Sequence, residues 1–245
     1  MTDHGHGGVV LSKEARIAAH VHAWEKLKQA PAHPHELLPF VTISREFGCD
    51  ARPLAQRLTE ILNERCRPSI PWIAYDREVL DRVASELHLA RDIIESLDGQ
   101  RRNEMSELFD SILNRKVDEA LVFRKMAEVI RSLATHGHVV LVGRGSCMLT
   151  QDLKTGLHVR LVAPRDWRAH KIQSDRSLSR RDAEKIVDDG ERARHHFLDT
   201  FFVRDPAHPF HHDLVIDSSR FNLAQIAEIV FAALSARFGE QLVGA

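Results

Sequence analysis

Short, nearly all-apolar runs alternate with helical stretches along this chain, and that alternation restricts the fold more than any other feature. Runs at 38–44, 70–75, 139–142, 158–163 and 214–217 predict five strands. Between them the spacing predicts a helix running to about Arg65 and a long helical region over 76–135, broken near Asp98-Gly99. A charged helical segment follows over 166–202, then a closing helix over 223–238. Strands that are apolar on both faces need cover on both faces, which implies a parallel sheet between helical layers. At 245 residues the chain is long enough for one substantial α/β domain with a real core.

Ligands of such sheets lie at the carboxyl ends of the strands. That edge carries residues 44–52, Asp76-Arg77, Gly143-Arg144-Gly145 and Pro164-Arg165. The first of these passes from a β-branched run through Gly48 into a helix with Leu54, Leu58, Ile61 and Leu62 on one face. Strand, glycine turn and helix together aim backbone N–H groups and a positive dipole end at a phosphate. The lysine and adjacent Ser/Thr of a phosphate loop are missing here. In the third turn, Gly143 and Gly145 allow close backbone approach and Arg144 could grip a phosphate bidentately. The plainer alternative is a tight turn with a solvated arginine. Arg168, Arg192 and Arg194 are further charges of the kind phosphoryl transfer needs. Taken singly, each also fits an exposed helix with intrahelical pairs such as Asp188 with Arg192. Ser179, three residues before Asp182, reads as a helix start.

Other classes find little support. A formal net charge of −1 argues against a broad nucleic-acid surface, and no apolar run approaches the length of a membrane span. With no secretory pattern and with Cys49, Cys66 and Cys147 widely spaced, a reducing cytoplasm is the expected location. The 16 histidines form no metal-ligand spacing, so no metal site is expected from them. Neither a GxSxG elbow nor a GxGxxG turn is present. Residues 1–9, rich in Gly and His, are expected to be disordered. Residues 11–30 read as a helix capped by Ser12 and ended by Pro31 and Pro34.

Five segments in order and spacing carry a family likeness: TISREFGCDARPLAQRL, AYDREVLDRVA, VVLVGRGS, HVRLVAPRDWR, and ERARHHFLDTFF followed by HDLVIDSS. Together they resemble the cytidylate kinase-like family, a branch of the P-loop nucleoside monophosphate kinases. The resemblance implies a three-layer α/β/α P-loop fold with a five-stranded parallel sheet over 37–240. It implies a helical insertion at 76–135 and a lid region at 165–205, behind an N-terminal tail and helix at 1–36. The implied activity is transfer of the ATP γ-phosphate to CMP or dCMP with Mg2+, so the expected partner is a nucleotide, with room for a homo-oligomer. By the same resemblance Ser44, Arg45, Gly48, Cys49, Asp50, Ala51 and Arg52 form the phosphate loop, and Arg168 lies near the ATP base. Asp76, Arg77, Gly143 and Arg144 bind the acceptor, while Arg192 and Arg194 clamp the transferring group.

The departures from the family are specific. Arg45 replaces the first glycine of the loop, Ala51 falls at the lysine and Pro53 near the hydroxyl residue. The kinase-like branch also lacks the lysine, but Asp50 and Pro53 depart even from its pattern. Gly145 replaces an aspartate, and His212 stands where the branch has a tyrosine. A carboxylate inside an anion cradle is electrostatically wrong unless it turns outward or meets magnesium. Arg52, one residue late, is the candidate substitute cation, and Arg45 is a second. Two expectations follow: a kinase of a pyrimidine monophosphate, or a nucleotide-sensing or interaction module on the same fold. The 76–135 region is likewise open between a closing acceptor subdomain and a dimer surface.

Overall fold

The computed structural model describes residues 38–76, 78, 80, 117–202 and 208–243. The expected N-terminal tail and helix, the break near Asp98-Gly99 and Arg77 lie outside them. Within them, five strands form one parallel sheet: β1 (Phe40–Arg45), β2 (Ile73–Tyr75), β3 (Val139–Val142), β4 (Gly156–Val162) and β5 (Leu214–Asp217). Their order is β2-β3-β1-β4-β5, so β1 is central and its end opens between those of β3 and β4.

The helices cover both faces, as the doubly apolar runs require. On one side α1 (Ala51–Cys66) buries Leu54, Leu58, Ile61 and Leu62 against Val41, Ile43, Val140, Val142, Val159 and Leu161. The closing helix, α6 (Leu223–Val243), adds Ile226, Val230 and Leu234 to the same layer. On the other side α2 (Val117–His136) packs Phe123, Ile130 and Leu133 against Phe40, Tyr75, Val139 and Leu141. Odd and even strand positions divide between the two layers, the period of two that a pleated strand imposes. Each fully buried Leu or Ile side chain stabilises by about 1.5–3 kcal/mol.

Several boundaries differ from the sequence expectation, β1 and β4 by one or two residues and three others by more. The second run narrows to 73–75. Pro71 has no N–H to give a ladder, and Asn63 takes the ladder's place at Trp72, accepting from its N–H at 2.7 Å and donating to its C=O at 3.0 Å. The charged segment divides into α4 (Arg165–Arg176) and α5 (Arg180–Phe201). Ser177 turns left-handed (φ 51°) between them, and Ser179 caps α5 by accepting from the Asp182 N–H at 3.2 Å. α6 continues past Phe238, where the backbone leaves helical geometry (φ −134°).

Candidate phosphate-binding site

A cavity of about 520 Å³ opens at the carboxyl edge of β1, β3 and β4. A short helix, α3 (Ser146–Thr150), supplies Cys147 and Met148 on one side. α5 forms the roof, presenting Gly190, Glu191, Arg194, Phe197 and Leu198 at the three- and four-residue spacing of one helix face. Arg45, Arg144, Arg160 and Arg194 line the cavity, against the carboxylates of Glu191 and Asp199. Among the described lining residues, four guanidinium groups stand against two carboxylates, an excess of two positive charges. A phosphomonoester of charge about −2 matches that excess, and arginine is the side chain best shaped for it.

Each arginine is positioned by local structure. Gly143, Arg144 and Gly145 are all left-handed, with φ of 75°, 54° and 69°. For a non-glycine residue that conformation costs of order 1–3 kcal/mol and concentrates at functional turns. It brings the Arg144 guanidinium 5.4 Å from the centre of the Phe197 ring. Gly143 has no Cβ because the Arg45 guanidinium lies where one would be. Arg194 donates to the Arg45 carbonyl at 2.8 Å and sits 5.4 Å from the Phe47 ring centre. Arg160 is opposite Ser44 in the β1–β4 ladder, so both side chains leave the same face of the sheet. His212 closes the cavity; burial first, then the charge of Arg160, pushes its pKa down to about 4, so the imidazole is neutral.

The adjoining loop, residues 46–50, is built differently. Gly48 is left-handed (φ 96°), as a turn into a helix requires. The loop's N–H groups, however, are donated within the protein. Glu46 N–H goes to the Leu161 carbonyl at 3.0 Å, Cys49 N–H to the Glu46 carbonyl at 3.3 Å and Ala51 N–H to the Cys49 carbonyl at 3.0 Å. Phe47 N–H goes to Glu191 Oε1 at 2.5 Å. Arg168, nearly buried, donates to the Phe47 carbonyl at 3.0 Å, the Ala163 carbonyl at 3.0 Å and Glu191 Oε1 at 3.1 Å. Glu46 in turn accepts from the Ala163 N–H at 3.0 Å. Arg168 is therefore the tie beneath the loop.

Asp50 turns outward, pairing with Lys171 of α4 at 3.0 Å, which resolves its electrostatic misfit. Cys49 is buried, and that burial pushes its thiol up to about 11, so it is no thiolate. Ala51 is the first residue of α1 and offers no cation.

The sequence-predicted residues thus divide. Ser44, Arg45, Gly143, Arg144 and Arg194 converge on the cavity. Gly48, Cys49, Asp50, Ala51 and Arg168 belong to the loop and its supports. Arg52 faces the end of β2, with its Nε 2.9 Å from Asp76 and its Nη1 3.6 Å from Glu78. Arg192 is exposed and pairs with Asp189, whereas Asp188 pairs with Arg165 at 2.7 Å, so the expected Asp188–Arg192 pair is replaced. Arg160, Glu191, Phe47 and Phe197 escaped the sequence reading. A charge inside the apolar run HVRLVA was the available signal for Arg160. Glu191 had only its three-residue spacing from Arg194.

The parallel order β2-β3-β1-β4-β5, with a glycine turn and helix after the central strand, defines an α/β protein of the P-loop kinase type. The chain belongs to the cytidylate kinase-like family, whose model matches residues 40–220. Its fold is similar to that of an uncharacterized protein from Eubacterium ventriosum ATCC 27560, at 16% identity over 82% of this chain and 100% of that one, with a TM-score of 0.63. A gluconokinase from Sinorhizobium meliloti 1021 overlaps less closely, at 13% identity over 85% of this chain and 97% of that one, with a TM-score of 0.44. No protein of curated function matches significantly.

Family membership implies a nucleotide and, usually, Mg2+. The arginine cavity suits a nucleotide's terminal phosphate. The loop, with the N–H groups of Glu46, Phe47, Cys49 and Ala51 taken up by protein acceptors, does not suit a triphosphate in this conformation. Among the described residues no cluster of three His, Cys, Asp or Glu side chains is arranged to hold a metal. No helix there is long and apolar enough to cross a membrane.

Proposed function

We propose that the protein is a nucleoside monophosphate kinase-like enzyme whose acceptor, CMP or dCMP, places its phosphate in the arginine cavity and is phosphorylated by ATP. The observation that carries this is the convergence of Arg45, Arg144, Arg160 and Arg194 at the carboxyl edge of β1, β3 and β4. Arg144 and Arg45 hold and orient the acceptor phosphate. Arg194, on the roof, neutralises charge as the phosphoryl group arrives. The faces of Phe47 and Phe197 hold the guanidinium groups of Arg194 and Arg144, limiting the side-chain entropy lost on binding. ATP supplies the phosphoryl group when bound. Arg52 pairs with Asp76 and links the start of α1 to the acceptor side. Arg192 is exposed, pairs with Asp189 and is not among the described residues that line the cavity.

One observation favours a second reading, a nucleotide-binding or interaction module without phosphoryl transfer: the loop's Phe47 N–H is satisfied by a carboxylate of the same chain. A coupled assay with ATP against each nucleoside monophosphate separates the two. Turnover with CMP or dCMP supports the kinase. Binding of CMP without turnover of any acceptor supports the module.

A further inference from the structure

Glu191 places a carboxylate on the loop between β1 and α1. Its Oε1 accepts from the Phe47 N–H at 2.5 Å and from Arg168 Nη1 at 3.1 Å. Both are charge-assisted contacts, the strong class of hydrogen bond. The N–H groups of Glu46, Cys49 and Ala51 are held by backbone carbonyls. Only at Phe47, among these four, is the acceptor a side chain from a distant helix, and a side chain can be exchanged for a ligand.

We propose that Glu191 is a built-in competitor for the donor phosphate: its carboxylate fills the anion position between the Phe47 N–H and Arg168, and a nucleoside triphosphate binds the loop by displacing it. Arg168 stays in place when Glu191 leaves, because the carbonyls of Ala163 and Phe47 also hold it. The incoming anion therefore finds a preformed donor pair.

The exchange also reaches α5. Gly190 lies directly against the Phe47 ring, with no room for a Cβ, and Arg194 bonds the Arg45 carbonyl. One turn of α5 thus grips the loop at three points. Releasing the middle one loosens the helix that roofs the acceptor cavity, so donor entry and the position of Arg194 are coupled. This regulation rests on the kinase-like reading of the site.

The test is calorimetry of magnesium-free ATP with wild type, Glu191→Gln and Asp199→Asn. Asp199 lines the same cavity and is exposed, so it controls for loss of one negative charge. Glu191→Gln is expected to bind ATP about tenfold more tightly, the factor a charge-assisted hydrogen bond represents. Asp199→Asn should gain less than about twofold, since exposed charges are screened. If wild type gives no heat, the appearance of binding in Glu191→Gln is the same positive result. Unchanged or weaker ATP binding in Glu191→Gln, or equal gains in both variants, overturns the proposal. A Glu191 with only a structural role would give weaker binding, the opposite sign. Should Glu191→Gln fail to fold, Glu191→Asp, one methylene short of the Phe47 N–H, must also gain affinity, and no gain overturns the proposal. CMP titrated into wild type tests the acceptor cavity separately: no CMP binding removes the kinase-like reading, whereas the ratio of ATP affinities alone decides the role of Glu191.

Discussion

The loop at 46–50 and the cavity beside it share the end of β1, yet they treat charge in opposite ways. The loop is supported by carboxylates: Glu46 and Glu191 meet at Arg168, and Asp50 faces Lys171. The cavity is dominated by four arginines. In a phosphate-loop protein the anion is expected at the loop's N–H groups. Here the N–H groups of Glu46, Phe47, Cys49 and Ala51 are satisfied from within, and the arginines gather around the neighbouring cavity. Arg45, at the entrance to the loop, lays its guanidinium over Gly143 and so joins the cavity rather than the loop. The loop thus holds its own N–H groups within the protein, while the cavity beside it gathers the arginines.

The largest effect should come from cutting the loop's support. Arg168→Ala leaves the partly buried Glu46 and Glu191 without their shared cation and the Phe47 and Ala163 carbonyls without their donor, a loss of about 3 kcal/mol. For a domain of this size that is a melting-temperature loss of about 10 °C, read by calorimetry. A loss below about 2 °C would mean that Arg168 does not organise the loop.

Acid is expected to weaken the protein nearly as much, through a group in neither region. His138 is fully buried, stacked on Trp72 and bonded to the Ile70 carbonyl at 2.8 Å. Burial lowers its pKa from 6.5 to about 4. It is neutral in the folded state and titrates near 6.5 when unfolded. The stability it contributes is complete above pH 6.5 and is lost as pH falls toward 4, by at most about 3 kcal/mol. Denaturant titrations at pH 7, 5.5 and 4.5 should show that decline. His138→Asn, which tolerates the left-handed φ of 52°, should flatten it.

Arg144→Ala attacks the cavity rather than the loop. It should weaken CMP binding by about 10–100-fold, as a charge-assisted bond to phosphate implies, with little change in melting temperature. A large stability loss with unchanged CMP affinity would reverse the division between the two regions. Arg192→Ala should be the smallest, within about 0.5 kcal/mol in stability and about twofold in CMP binding, because its side chain is 76% exposed and pairs with Asp189 at the surface.

The sequence carried the sheet because apolar runs at 139–142 and 214–217 and the buried face of α1 express a local period. It also carried the strand-end glycines and arginines, whose meaning depends on where a parallel sheet ends. Contacts across the chain were invisible to it. Phe47 and Glu191 are 144 residues apart, and no spacing rule relates them. Arg168 was expected near the ATP base, and its role beneath the loop was hidden because its burial arises only when α4 packs there. Asp50 appeared as an anomaly because its partner, Lys171, lies 121 positions away in sequence.

The most direct measurement is a crystal structure after soaking with CMP alone. The account predicts its phosphate among Arg45, Arg144, Arg160 and Arg194, with Glu191 still on the Phe47 N–H. Phosphate density on the loop N–H groups of Phe47 and Gly48, with the arginine cavity unfilled, would contradict it.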